Sequence, residues 1–146
     1  MKALSVRAPW WWAILHGKPI ENRNWPTRYR GPMLLHASTW WKRDEVESDL
    51  AEARRMATAS GVDLPYVDLD QMQAMGGCLV GSFEVVDCVA ESPSPWFVGR
   101  YGFVLRGARA LPHALVWKGA LMFFDVPDLL VEPYLRVGRL VENGCK

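Results

Sequence analysis

The stretch that decides the fold of this chain reads Gly17-Lys18-Pro19-Ile20-Glu21-Asn22-Arg23-Asn24-Trp25-Pro26-Thr27-Arg28-Tyr29-Arg30-Gly31. Arg7-Ala8-Pro9-Trp10 precedes it and His36-Ala37-Ser38 follows it. Residues 7–30 contain five cationic side chains, several aromatic rings and a single carboxylate. Cations bind phosphate oxygens and aromatic rings stack on nucleobases. This mixture therefore predicts a ligand that is both anionic and flat, such as a nucleotide.

Length and composition predict one globular domain spanning residues 1–146. Half of the residues are apolar, which is enough for a hydrophobic core. No apolar run approaches the roughly 20 residues of a membrane span, and no signal peptide is visible. The three cysteines lack the spacing of a zinc site. We expect a cytoplasmic domain with no metal, no cofactor and no membrane contact, and the sequence leaves its oligomeric state open.

The net charge of +1 conceals an uneven distribution of charge along the chain. Residues 1–43 contain eight Lys or Arg and one acid, whereas residues 44–91 contain eleven acids and two bases. A basic face would concentrate anionic ligands, and an acidic face would repel them elsewhere. The alternative is that the two segments neutralise each other in space.

Hydrophobic periodicity and turn residues predict a mixture of strands and helices. The order does not fit alternating βαβ units and favours a small mixed barrel or sheet packed by two or three helices. A bulge is expected near Gly81. The predicted strands are 2–7, 20–23, 33–37, 77–89, 101–105 and 115–124, and the predicted helices are 10–16, 44–60, 68–74 and one within 127–141.

The motifs between Ser5 and Ser38 resemble those of the ASCH domain family, named for homology to an activating signal cointegrator. Family members commonly show S-I-R-x-P-W, then G-x-K-T-I-E-x-R-x-W-x-x-R-Y-R-G, then H-A-S. The corresponding runs here are Ser5–Trp10, Gly17–Gly31 and His36–Ser38. The resemblance covers roughly residues 3–125, and residues 127–146 lie beyond it. Later matches are Gly76–Gly81, Ser94–Phe97, Tyr101–Phe103 and Lys118-Gly119.

The resemblance implies an α+β, PUA-like fold, in which a mixed β-barrel is flanked by two to three helices. It also implies a cleft lined by the Lys/Glu/Arg segment and binding of RNA or another nucleic acid. Some small bacterial relatives are amidohydrolases of acetylated cytidine nucleosides, and some are reported as ribonucleases. In the amidohydrolase branch a nucleophilic threonine lies three residues after the lysine, where this chain has Glu21. Position 19 also differs, because Pro19 replaces the common threonine.

The candidate site follows from the side-chain chemistry of residues 7–30 together with one later lysine. Lys18 and Glu21 are the candidate catalytic residues, with acid and base roles. If 20–23 is a strand, Glu21 and Arg23 share one face and Lys18 lies on the other, unless Pro19 bends the chain. His36 is interpreted as a structural histidine. The candidate nucleic-acid-binding residues are Arg7, Lys18, Glu21, Arg23, Trp25, Arg28, Tyr29, Arg30 and Lys118.

Three functions compete at this point. The first is a module that binds RNA, a single strand or a nucleotide through a basic aromatic cleft built by residues 7–30. The second is a hydrolase of modified nucleosides or RNA that uses Lys18 and Glu21, against which the missing threonine counts. The third is a protein-interaction domain whose exposed tryptophans anchor a partner. We favour the first, because cations and aromatic rings alternate along the segment.

Overall fold

The structure is a computed structural model and describes residues 1–135. Residues 128–135 are helical, as predicted within 127–141, and the rest of that predicted helix lies outside the described residues. The elements in chain order are β1 (Lys2–Val6), α1 (Trp10–Leu15), β2 (Ile20–Arg23), β3 (Gly31–Ala37), α2 (Arg43–Ser60), α3 (Leu69–Ala74), β4 (Cys78–Val89), β5 (Tyr101–Val116) and β6 (Phe123–Asp125).

The six strands form one mixed sheet with the order β2-β5-β4-β3-β1-β6. β1 and β3 are parallel, and the other neighbouring strands are antiparallel. The carboxyl ends of β1 and β3 therefore meet at one end of the sheet, where β4 begins and β5 ends. This shared end brings together residues that are far apart in the sequence.

The sheet is curled so that its two edges approach each other. Phe103 lies on β5 beside the edge strand β2, and Phe123 lies on β6 at the opposite edge. Their ring centroids are nevertheless 5.9 Å apart. A curled mixed sheet flanked by helices is the predicted α+β, PUA-like barrel, so the prediction of fold class is confirmed.

The helix predicted over 44–60 is the long helix α2, and its ends have the expected local causes. Asp44 and Glu45 lie in the first turn, where the partial positive charge of the helix N-terminus favours carboxylates. Gly61 ends the helix in a left-handed conformation, with φ 75°. Val46, Ala53 and related apolar side chains pack this helix into the main core. Among residues 1–135, no helix combines the length and apolar character that crossing a membrane requires.

The prediction of separate strands at 101–105 and 115–124 is wrong. A single strand, β5, runs from Tyr101 to Val116, and residues 117–122 are not in a strand. The residues between Ala110 and Leu115 are taken up by a bulge, because Gly81 pairs with Ala110 while Leu79 pairs with Leu115. The expected irregularity near Gly81 is confirmed, and it bends the hairpin without ending the strand.

Candidate nucleic-acid interface

A cleft of about 1330 Å³ opens at the end of the sheet where β1, β3 and β5 terminate. Four cationic side chains line it, with one carboxylate and three tryptophans. The walls also include the segment that follows β5. The charged and aromatic lining residues are Arg7, Lys18, Glu21, Arg23, Lys118, Trp10, Trp40 and Trp117.

The floor of the cleft is a charged triad of Lys18, Glu21 and Arg23. Lys18 Nζ lies 3.2 Å from Glu21 Oε1, and Arg23 donates from Nε at 3.0 Å and from Nη2 at 2.7 Å to Glu21 Oε2. Arg23 Nη2 also donates to the carbonyl oxygen of Ser5, 2.9 Å away. Lys18 and Glu21 are only 3 % and 5 % exposed. Two cations therefore share one buried carboxylate.

Lys18 reaches this carboxylate because β2 begins only at Ile20. Gly17, with φ 116°, turns the chain after α1, and the Lys18 amide donates to the carbonyl of Ala13. Residues 18 and 19 lie outside the strand, and the Lys18 side chain reaches Glu21 on the same side. The strict alternation that put Lys18 on the opposite face does not hold, because Lys18 precedes the strand and follows the turn at Gly17.

Burial and charge act in opposite directions on the two buried groups. Burial lowers the pKa of Lys18 below its ordinary value, although the Glu21 carboxylate opposes the change. Burial alone would raise the pKa of Glu21, but Lys18 and Arg23 together lower it. Glu21 is therefore a carboxylate at neutral pH, with hydrogen bonds to both oxygens. The Glu21 carboxylate therefore positions Lys18 and Arg23. Because both of its oxygens are engaged and its pKa is lowered, it is a poor general base.

Two of the cations that line the cleft, one exposed and one buried, lie over aromatic rings. The Arg7 guanidinium lies 4.5 Å from the centroid of the Trp40 ring, and Lys18 Nζ lies 5.3 Å from that of Trp10. Arg7 is exposed. Stacking holds a guanidinium flat while leaving its N–H groups able to donate to an anion.

His36 joins the barrel to the far wall of the cleft, as expected of a structural histidine. Its Nε2 lies 2.7 Å from the carbonyl oxygen of Trp117 and its Nδ1 lies 3.0 Å from Ser5 Oγ. A carbonyl only accepts, so Nε2 donates and Nδ1 of the neutral ring accepts from Ser5. Burial lowers the pKa of His36, against the effect of the Trp117 hydrogen bond. Its ring nitrogens are satisfied within the fold.

Four of the predicted binding residues do not line the cleft. The Trp25 ring packs edge-on against Phe103 and Phe123, each at 5.1 Å. The Tyr29 hydroxyl donates to the Pro32 carbonyl. Arg30 lies 3.5 Å from Asp87 and donates to backbone carbonyls, and Arg28 is exposed on the same loop.

The cleft contains residues that sequence reasoning did not select. Trp40 and Trp117 lie outside the motif, and so do the exposed side chains of Leu121 and Met122. The sequence signal for the first two was the high tryptophan count, which does not separate core from surface. Within residues 1–135, no three His, Cys, Asp or Glu side chains are grouped to hold a metal ion.

Sequence comparison assigns the chain to a family. Residues 4–98 match the ASCH domain, so the chain belongs to the ASCH domain family. It is 28% identical to human activating signal cointegrator 1 over 89 residues, and 27% identical to the mouse protein of that name. These alignments cover 60% of this chain and 14% of each relative, so the chain spans a small part of their length. The ASCH family is generally associated with RNA binding.

Proposed function

We propose that this domain binds single-stranded RNA in the cleft at the end of its sheet. The observation that carries the proposal is the charge of the lining: four cations face one carboxylate, and that carboxylate is bound by two of them. The lining therefore has an excess of positive charge. Phosphate groups of a strand neutralise that charge and release counterions, which favours binding.

The aromatic lining favours a single strand over a duplex. Unstacked bases of a single strand stack on aromatic side chains, whereas the bases of an RNA helix are covered by their neighbours. Three tryptophans line this cleft. Its volume of about 1330 Å³ exceeds the roughly 300–1000 Å³ of most small-molecule pockets. The cleft thus has room for more than one nucleotide.

The four cations have different parts in this proposal. Lys18 and Arg23 are buried or half-buried and fixed by Glu21, so they form a preorganised positive floor. Arg7 and Lys118 are exposed at the cleft and make the direct phosphate contacts. Membership of a family associated with RNA binding supports RNA as the preferred strand.

The test is a binding titration of the whole chain with a fluorescent single-stranded RNA between about 50 and 200 mM salt. The logarithm of the affinity should fall linearly with the logarithm of the salt concentration, by about 0.7 for each phosphate contact. Arg7→Ala should weaken binding and reduce the slope. Arg28→Ala, which removes a loop arginine outside the cleft, is the matched control. Absence of binding at low salt, or an affinity indifferent to salt, would refute the proposal.

A second candidate function is hydrolysis of a modified nucleoside or of RNA. One observation favours it: Lys18 is a buried lysine with a lowered pKa at the floor of a cleft, the setting of many proton-transferring lysines. Purified protein should be incubated with acylated cytidines and with RNA, beside Lys18→Met. Turnover that disappears in the variant supports an enzyme, and no turnover in the wild type leaves binding as the function.

A further inference from the structure

The segment that follows β5, residues 117–122, is anchored at Trp117 and Gly119. The Trp117 amide donates to the carbonyl of Gly77 at 3.0 Å, and the Trp117 carbonyl accepts from His36 at 2.7 Å. Gly119 lies directly on the His36 ring: a Cβ at this position would be 2.6 Å from His36 Cε1. Any larger residue would push the segment off the barrel. The backbone of the segment is therefore held against the end of the sheet.

The outer side of the 117–122 segment presents apolar side chains to solvent at the cleft. Leu121 is 92 % exposed and Met122 is 55 % exposed, and both line the cleft beside Lys118. Met122 has φ 57°, a left-handed conformation that residues with a Cβ seldom adopt. Such backbone conformations persist where the surrounding structure imposes them, and they cluster at ligand-binding sites.

We propose that the 117–122 segment is a base-contacting wall of the cleft, in which Leu121 and Met122 pack against nucleobases of a bound RNA strand. The inference rests on the proposed function and names the part of the site that contacts bases. Lys118 in the same segment pairs with a phosphate of that strand.

The chemistry of the segment fits the flat face of a base. An unpaired base is an apolar surface that is partly exposed to water until something covers it. The Leu121 side chain covers such a face by apolar contact, and the Met122 thioether makes favourable contacts with aromatic rings. Because Trp117 and Gly119 already lie against Gly77 and His36, the first half of the segment needs little ordering on binding. The wall is continuous with the cationic floor, so one strand contacts both.

The experiment compares two probes: a fluorescent single-stranded RNA and an abasic ribose-phosphate strand of the same length. Leu121→Ala and Met122→Gly are the test variants. Met122→Gly keeps the left-handed backbone, because glycine adopts it freely, and removes only the side chain. Leu129→Ala is the matched control, since Leu129 is 83 % exposed on the helical residues 128–135 and does not line the cleft. Thermal unfolding checks that every variant is folded.

We expect Leu121→Ala and Met122→Gly each to weaken RNA binding about fivefold or more, with the salt slope unchanged. Binding of the abasic strand should change less than twofold. Lys118→Ala should weaken the binding of both probes. It should also reduce the salt slope by roughly the amount that one phosphate contact contributes.

The outcomes separate this inference from the proposed function. If the wild type binds RNA and both apolar variants bind it as tightly as Leu129→Ala does, the base-contacting wall is refuted and the RNA site stands. Equal weakening of RNA and the abasic strand also refutes it, because the effect is then independent of bases. If the wild type does not bind RNA at any salt concentration, the RNA function itself is refuted and the wall with it.

Discussion

The two halves of the motif at residues 17–31 each carry two cations and are opposite in placement. The cleft half, residues 17–23, turns into the sheet and lays Lys18, Glu21 and Arg23 on the floor of the cleft. The packing half, residues 25–30, leaves the cleft, and its Trp25 ring lies between Phe103 and Phe123 near the two edges of the sheet. Cations and aromatic rings next to each other in sequence therefore do not by themselves define a binding surface.

The two halves also differ in how they stabilise the fold. Burying three charged groups carries a desolvation cost that their mutual attraction offsets only when the geometry is good. The packing half has no such cost, because Trp25 and Tyr29 bury apolar rings against Phe123. A buried charged triad at a cleft is thus the more specific sign of function, and an aromatic cluster is the more specific sign of packing.

The largest effect should come from breaking the buried triad. Glu21→Gln removes the negative charge and leaves Lys18 and Arg23 facing each other in a buried place. We expect a loss of about 3–5 kcal/mol in the free energy of unfolding, the usual result of removing one partner of a buried ion pair. Urea denaturation measures it. Glu84→Gln, which breaks the exposed pair with Arg106, is the matched control and should cost under about 1 kcal/mol. Equal losses of unfolding free energy in the two variants would contradict the distinction between the buried triad and the exposed ion pair.

The second-largest loss of stability should come from removing a ring of the packing half. Trp25→Ala removes a ring that contacts both Phe103 and Phe123, and we expect it to lower the free energy of unfolding by about 3 kcal/mol. RNA affinity, measured well below the unfolding temperature, should stay near that of the wild type. Tyr66→Ala, at a highly exposed aromatic ring, is the control for loss of a ring. A stable variant with lost affinity would instead make Trp25 a stacking residue.

A smaller effect should appear as the pH is lowered. The folded-state pKa of Glu21 is lowered, so the native state holds its carboxylate at a pH where the unfolded chain is protonated. Its contribution is complete above the ordinary glutamate pKa and is lost as the pH falls through the folded value. Lys18 acts in the same direction, because its lowered pKa makes folding more favourable as the pH rises from its folded value to the ordinary lysine value.

Unfolding of the wild type and Glu21→Gln at several pH values tests this. The difference between their free energies of unfolding should be largest near neutral pH and should decrease in acid. A difference that is constant down to acid pH would mean that the carboxylate charge contributes nothing.

The smallest effect should follow Tyr29→Phe. The Tyr29 hydroxyl donates to the Pro32 carbonyl at an exposed position, so its removal should cost about 1 kcal/mol or less in stability. RNA affinity and its salt slope should be unchanged, because Tyr29 does not line the cleft. A clear fall in RNA affinity would show that Tyr29 belongs to the binding surface. It would contradict the distinction between the cleft half and the packing half.

Local sequence signals predicted most of the elements. Alternating apolar residues predicted β1 and β4, and a compact apolar run predicted β3. Helical spacing with Gly61 as a stop located α2 to within one residue. The error at β5 has a physical cause. Residues 106–114, which include Gly107 and Pro112, were not predicted as strand, but pairing with the long strand β4 continues through them with shifts of register, since ladder partners compensate for poor local propensity.

The candidate site was predicted in part. Arg7, Lys18, Glu21, Arg23 and Lys118 line one cleft, whereas the four predicted residues of the packing half lie elsewhere. The 117–122 segment lies within the predicted strand 115–124, and only Lys118 of this segment was predicted as a binding residue, on the basis of its charge. The position of the segment depends on contacts with His36 and Gly77, which are distant in sequence and leave no local pattern.

The sequence by itself determined the family, the α+β barrel and the presence of a cationic group around Lys18, because motif residues and period-two patterns are local properties of the chain. Only the tertiary structure decided which cations face a common space. The parallel pairing of β1 with β3 and the curl of the sheet bring residues 5–7, 18–23, 36–40 and 116–122 to one end. The same curl half-buries Trp25 and Tyr29, because Phe123 of β6 is brought against both rings and Phe103 of β5 against that of Trp25.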